Sequence, residues 1–258
     1  QPLVRDIDTD MIVGVNGTTL ATIEDSVVHR INLVGPDVQA TVRGNTMADG
    51  MWVANGATGT VEGNLILEEP VTVGADSRVE IVGNTLRPAE GAPAIFVEWA
   101  NASVDVIDNT IQGGDPAIIV QHARSSRIEG NTITDPLEGI VVLETDAIVR
   151  DNTVSGATET GIVVEGNGIT AEDNTVTGGR VGMVAGMTNG FPPDAPRFDE
   201  PSRLIGNTVA DASHFGLLVF EAAPLISGNT ICGGREALRL EDDASPELGS
   251  NEFCEVED

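Results

Sequence analysis

The 258 residues carry 13 basic against 41 acidic side chains, a net charge of −28, with 40% hydrophobic and only 3% aromatic residues. Such a surface repels nucleic acid and anionic lipid, so neither is expected as a partner. No stretch approaches the roughly 20 apolar residues of a membrane-spanning helix, so no membrane insertion is expected, and the lack of a signal peptide at Gln1 is read as that of a mature exported chain. Every basic residue is Arg and Tyr is absent, which fits either a high-salt habitat or a GC-rich genome.

Residues 1–30 do not follow the pattern of the rest, and the apolar segment MIVGVNGTTLATI within them is expected to cap the N-terminal end of the fold. From residue 31 to 258 the chain returns again and again to Gly/Asp-Asn-Thr-apolar. The Asn residues stand at 45, 64, 84, 109, 131, 152, 174, 207, 229 and 251, a spacing close to 22. Two residues after each comes an apolar side chain, from Met47, Ile66 and Leu86 through to Ile231 and Phe253. Upstream of each Asn two more apolar columns alternate with other residues, Ile31, Met51, Val71, Ile95 onward and Leu33, Val53, Val73, Val97 onward. Period two with β-branched residues predicts strands with one buried face. Each repeat therefore reads as one coil of a parallel β-helix: all-β, about ten coils at about 4.8 Å each, a rod roughly 45 Å long. The Asn column is assigned to the corner between two strands, where Asn tolerates a left-handed backbone and stacked side chains can form an axial ladder.

Two coils are longer than the others. The one ending at Asn109 brings Trp99 into a turn beside Phe96 and Glu98, with His122, Arg124 and Glu144 on the following coils, an aromatic platform with polar neighbours of the kind on which sugar rings stack. The step from Asn174 to Asn207 carries a Pro-rich insertion at 188–201, whose Phe191 and Phe198 are expected either to bind a ligand or to fold over the outward stripe of Val141, Val163, Val184 and Leu218. His29 and His214 read as isolated, and no metal-ligand spacing links the three histidines. Cys232 and Cys254 each follow a repeat Asn by three residues, which stacks them on consecutive coils and predicts a disulfide, an oxidising compartment and a secreted or cell-surface location.

The clearest copy of the repeat, GIVVEGNGITAEDNTVTGG at 161–179, resembles the right-handed β-helix repeats of the pectate-lyase-like superfamily, and the likeness extends over residues 31–258. The resemblance implies a single-stranded right-handed parallel β-helix whose catalytic members carry acid or base residues on the outer face of the first strand. That outward column here reads Asn32, Trp52, Thr72, Phe96, Ile119, Val141, Val163, Val184, Leu218 and Arg239, without an Asp cluster. The Gly-His-Gly and Arg-Ile-Lys segments of polygalacturonase-like hydrolases are missing. Asp115-Pro116 and Asp135-Pro136 lack the His that alginate-epimerase-like members place next.

These readings predict an exported, non-catalytic monomer for surface structure or carbohydrate contact, with a polysaccharide or a cell-surface protein as partner. No cofactor is expected beyond surface-bound Ca²⁺ or Mg²⁺. The enzymatic alternative is a polysaccharide lyase or C5-epimerase using His122, Arg124 and Glu98. Ice binding by the Thr column is a minor alternative, weakened because the second column, Ala48, Arg87, Gln112 onward, is irregular.

Overall fold

The computed structural model describes residues 3–8, 10–17, 19–98, 101–166, 168–186 and 200–254. All regular structure among them is strand, wound into a right-handed solenoid of three parallel sheets. Sheet 1 has 12 strands and contains Val38–Arg43 and Ser125–Glu129; sheet 2 has 11 and contains Thr85–Pro88 and Thr132–Thr134; sheet 3 has 11 and contains Arg30–Val34 and Thr160–Glu165. Each turn of the chain visits sheets 1, 2 and 3 in that order. Residues 3–30, read from the sequence as a cap, supply strands Leu3–Arg5, Ile12–Asn16, Thr19–Glu24 and Val27–Val28 to the same three sheets, in register with the coils that follow.

The inward columns are those of the repeat. Ile31, Val71, Ile95, Ile118, Ile140 and Ile162 are each 0% exposed, and burying such a side chain contributes about 1.5–3 kcal/mol. The columns open at the ends, where Val4 and Val13 are only partly buried and, on the last coil, Leu240 and Phe253 are 45% and 36% exposed. Cys232 and Cys254 form the expected disulfide between stacked coils, with Cα atoms 4.7 Å apart.

The Asn column forms a continuous ladder. Asn131 Oδ1 accepts from the backbone N–H of Asn109 at 3.0 Å and from Asn109 Nδ2 at 3.0 Å, while Asn131 itself donates in the same two ways to Asn152 Oδ1. The pattern runs from Asn45 to Asn251, and Ser26 begins it by donating its N–H to Asn45 Oδ1 at 3.1 Å. The left-handed backbone at this corner belongs to the preceding residue, which corrects the sequence reading. Gly83 (φ 62), Asp108 (φ 53), Gly130 (φ 67) and Asp151 (φ 54) have positive φ, and the ladder Asn residues do not. Gly or Asp precedes Asn because those residue types tolerate that conformation, leaving Asn free to face inward and bond along the axis.

A second small-residue column lines the corner between sheets 2 and 3. A Cβ on Gly139, Gly161, Gly182 or Gly216 would strike a carbonyl oxygen of the next coil and a core methyl group, so the coils here close more tightly than any larger side chain permits.

Candidate functional site

Strand pairing confirms the outward column of sheet 3 as Asn32, Trp52, Thr72, Phe96, Ile119, Val141 and onward, one residue per coil. Its two halves differ. From Ile119 to Leu218 it is an apolar stripe, in which Val141, Val163 and Val184 are only 6%, 8% and 8% exposed and pack with Leu143, Val181 and Phe220. Toward the N-terminal end it becomes polar, and Trp52 stands out 49% exposed.

Beside Trp52 lies a groove of about 260 Å³ bordered by Arg30, Asp49, Glu69, Pro70 and Thr72. Turn length explains it. The chain passes quickly from the ladder corner to sheet 3 between Ser26 and Ile31, Asn45 and Met51, and Asn64 and Val71, whereas the next turn, Asn84 to Ile95, is longer. Gly50 makes the short turns fit: its φ is +70, and a Cβ there would lie 2.5 Å from the carbonyl oxygens of both Glu69 and Pro70.

At the rim of this groove His29 lies between two carboxylates, Nδ1 at 3.1 Å from Asp10 and Nε2 at 3.3 Å from Asp49. Arg30 fixes Asp49 as well: Nη2 is 2.9 Å from the same carboxylate oxygen, Oδ2, and Nε donates to the Asp49 backbone oxygen at 2.9 Å. Asp10 and Asp49 sit on opposite ring nitrogens, so the three side chains do not converge on one point; among the described residues no group of three or more His, Cys, Asp or Glu is placed to hold a metal ion. Asn32 Oδ1, next to Trp52 in register, is buried without a hydrogen-bond partner. The sequence reading took His29 as isolated, and the structure corrects it: its partners lie one coil away on either side. That relation is readable by stepping one repeat, about 20 residues, in both directions.

The opposite edge of sheet 3, at the carboxyl ends of its strands, holds the residues favoured from the sequence. Trp99, Phe191 and Phe198 lie outside the described residues. Phe96 is half-buried, and Glu98 pairs in register with Gln121. His122 and Glu144 follow one another on successive coils, both with positive φ, 54 and 48. Arg124 is exposed beyond the buried Ala123, already at the start of sheet 1. Glu144 is 7% exposed, folds over Gly166 of the next coil, and its Oε1 has no partner. Burial, then the charge of Glu165, holds its carboxyl above the ordinary carboxylate range. Glu165, at the end of its own strand, is raised by burial and by Glu138; Glu138, at the amino end of its strand, is raised by burial, Asp115 and Glu159. This edge is therefore carboxylate-rich and partly desolvated, while the groove combines an aromatic surface with a positioned His and Arg.

A family model described as a right-handed beta helix region matches residues 11–193 and 94–253. The chain belongs to the right-handed β-helix family. Among solved structures it is similar to the periplasmic alginate epimerase AlgG, with TM-score 0.58 and 12% identity over 96% of this chain and 78% of that one. It is also similar to the lacto-N-biosidase of glycoside hydrolase family 136 from Eubacterium ramulus (TM-score 0.48, 10% identity, 91% and 49% covered). The A-module of the Azotobacter vinelandii mannuronan C-5 epimerase AlgE6 gives TM-score 0.46 and 13% identity, with 99% and 91% covered. At these identities the likeness is one of fold. No curated protein sequence matches significantly. Among the described residues no helix is long and apolar enough to cross a membrane.

Proposed function

We propose that the protein is an exported β-helix that engages an acidic polysaccharide across the outer face of sheet 3 and transforms it by proton abstraction, as a lyase or C5-epimerase. One observation carries the reading: His29 held by Asp49, and Asp49 clamped by Arg30, beside the exposed Trp52. Both reactions begin by removing the proton from the carbon next to a uronate carboxylate. With Nε2–H donated to Asp49, the neutral imidazole presents its lone pair at Nδ1 once Asp10, whose side chain is 95% exposed, turns aside. Arg30 engages Asp49 through Nε and Nη2, which leaves Nη1 for the substrate carboxylate, where negative charge builds as the proton departs. The indole of Trp52 offers a surface for a sugar ring. In a lyase the abstracted proton is followed by cleavage of the C4–O bond; in an epimerase a proton returns to the same carbon from the opposite face. Epimerisation, the activity named for the AlgG structure, falls in this class.

The molecular charge of −28 opposes an acidic polymer at long range. Binding should therefore strengthen as salt shortens the Debye length, from about 30 Å at 0.01 M to about 8 Å at 0.15 M. The test is a panel of uronic-acid polymers, following unsaturated product by absorbance and deuterium uptake from D₂O by NMR. His29→Ala should abolish both signals and keep binding, and Trp52→Ala should weaken binding about tenfold, roughly 1.4 kcal/mol. Binding without either signal would leave a contact module, a reading that the absence of Tyr, which alginate-epimerase-like members carry, also favours. No binding to any polymer would overturn both.

A further inference from the structure

We propose that Asn101 is the acceptor of an N-linked glycan. Of the 16 Asn residues, only two begin an Asn-X-Ser/Thr triplet, Asn16-Gly17-Thr18 and Asn101-Ala102-Ser103. The fold explains why the ten ladder Asn residues do not. Every ladder Asn has an inward apolar residue two places later, as Asn84 has Leu86 and Asn109 has Ile111, both 1% exposed or less, so the repeat that builds the core cannot also encode an acceptor. Except at Asn251, the last rung, the ladder amides are themselves buried and bonded on both sides.

Asn101 differs in every respect. It is exposed, in a turn with φ 68 between the sheet 3 strand Ile95–Glu98 and the sheet 1 strand Ser103–Ile107. Its Nδ2 makes one surface contact, donating to Asp76 Oδ1 at 3.1 Å. Ala102 points inward and is 0% exposed, so the flanking Asn101 and Ser103 both face outward, as a transferase that acts on the amide and reads the hydroxyl requires. The Ser103 hydroxyl lies at the surface, 3.2 Å from that of Ser125.

The step needs a donor sugar carried on a polyprenyl phosphate or diphosphate. The Asn101 Nδ2 attacks C1 of that sugar, a C–N bond forms as the C1–O bond to phosphate breaks, Nδ2 loses a proton, and the lipid phosphate leaves. Such transfer accompanies export, for which the Cys232–Cys254 disulfide speaks independently of any polysaccharide reading. The geometry assigns the modification a definite side. Asn101 follows its sheet 3 strand, whereas the Trp52 groove lies where the chain enters that sheet. A glycan would leave the groove open and stand over the edge occupied by His122 and Arg124 one coil further on.

Peptide mapping of the protein isolated from its own cells tests this. Tryptic cleavage, which spares Arg87-Pro88, yields one peptide from Val79 to Arg124 containing Asn84, Asn101 and Asn109. The expected result is a glycan on Asn101 with Asn84 and Asn109 bare, and its loss in a Ser103→Ala variant whose melting temperature is unchanged. A bare Asn101, a sugar on the Ser103 or Thr110 hydroxyl, or a glycan that persists on Asn101 in Ser103→Ala would each overturn the assignment.

Discussion

Asn131→Ala removes one rung from the middle of the ladder. Asn131 is 0% exposed; its Oδ1 serves two donors of Asn109, and its Nδ2 donates to the carbonyls of Val106 at 2.9 Å and Glu129 at 3.1 Å as well as to Asn152. Asn109 Nδ2 keeps the carbonyls of Ile81 and Ile107, Glu129 O keeps the N–H of Asp108, and Val106 keeps its place in the sheet 1 pairing with Ile128, but the Asn109 N–H is left without replacement inside the protein. An orphaned buried donor costs about 1–3 kcal/mol, so its loss together with the small void should cost about 3 kcal/mol. Urea denaturation measures the loss, and hydrogen exchange should show the Asn109 amide deprotected ahead of its neighbours. Asn251→Ala, at the half-buried last rung where water can enter, is the comparison and should lose about 1 kcal/mol or less. Equal losses at the two positions, or a loss below about 1 kcal/mol at Asn131, would refute the view that the ladder holds the coils together.

Reducing Cys232–Cys254 should loosen the last coils, about 3 kcal/mol for a closed loop of this length, while amides near Ile140 keep their protection, because solenoid stability sums over neighbours. The melting temperature should rise as NaCl goes from 0.01 to 1 M, where the Debye length falls to about 3 Å; a flat profile would mean that self-repulsion among the 41 acidic groups does not limit stability. Because folding raises the Glu144 carboxyl above its ordinary 4.5, the folded state holds that proton more tightly than the unfolded chain. Its contribution is therefore present at low pH and lost as pH rises through the folded value. Glu144→Gln should thus stabilise at pH 7 relative to wild type and be near neutral at pH 4, as read by urea midpoints at the two values.

What the sequence makes legible is set by periodicity. The three inward columns are visible because a core position repeats every coil without exception, and the disulfide because Cys232 and Cys254 fall at one register. The ladder is visible too, but the identity of its left-handed residue is not: Gly, Asp and Asn all tolerate positive φ, and the pattern places them side by side at each corner. From Ile95 to Leu238 the residue before the first inward side chain of each sheet 3 strand, Gly139, Gly161, Gly182 and Gly216 with Ala94, Ala117 and Ala237, is small, and at the glycines the reason is one only the coil-to-coil contact reveals. The candidate site was harder because it does not repeat. His29, Asp10 and Asp49 occur once each, and their meeting depends on stacking across coils; the desolvation of Glu144 depends on what lies over a turn, which no local pattern encodes.

Asn174 and Asn207 are 33 residues apart, yet their two bonds are 3.0 and 2.9 Å, the same as across the 22-residue steps. The rungs are thus indifferent to how much chain separates them. For the ancestry of such a molecule this divides the sequence into two kinds of text. Loops can be gained, lost or exchanged between rungs without disturbing the frame, so new binding surfaces can be tried at little risk to folding. The frame itself can change only by whole coils, since a duplicated coil brings its own donor, acceptor and core residues, whereas a partial one would strand an amide in the interior.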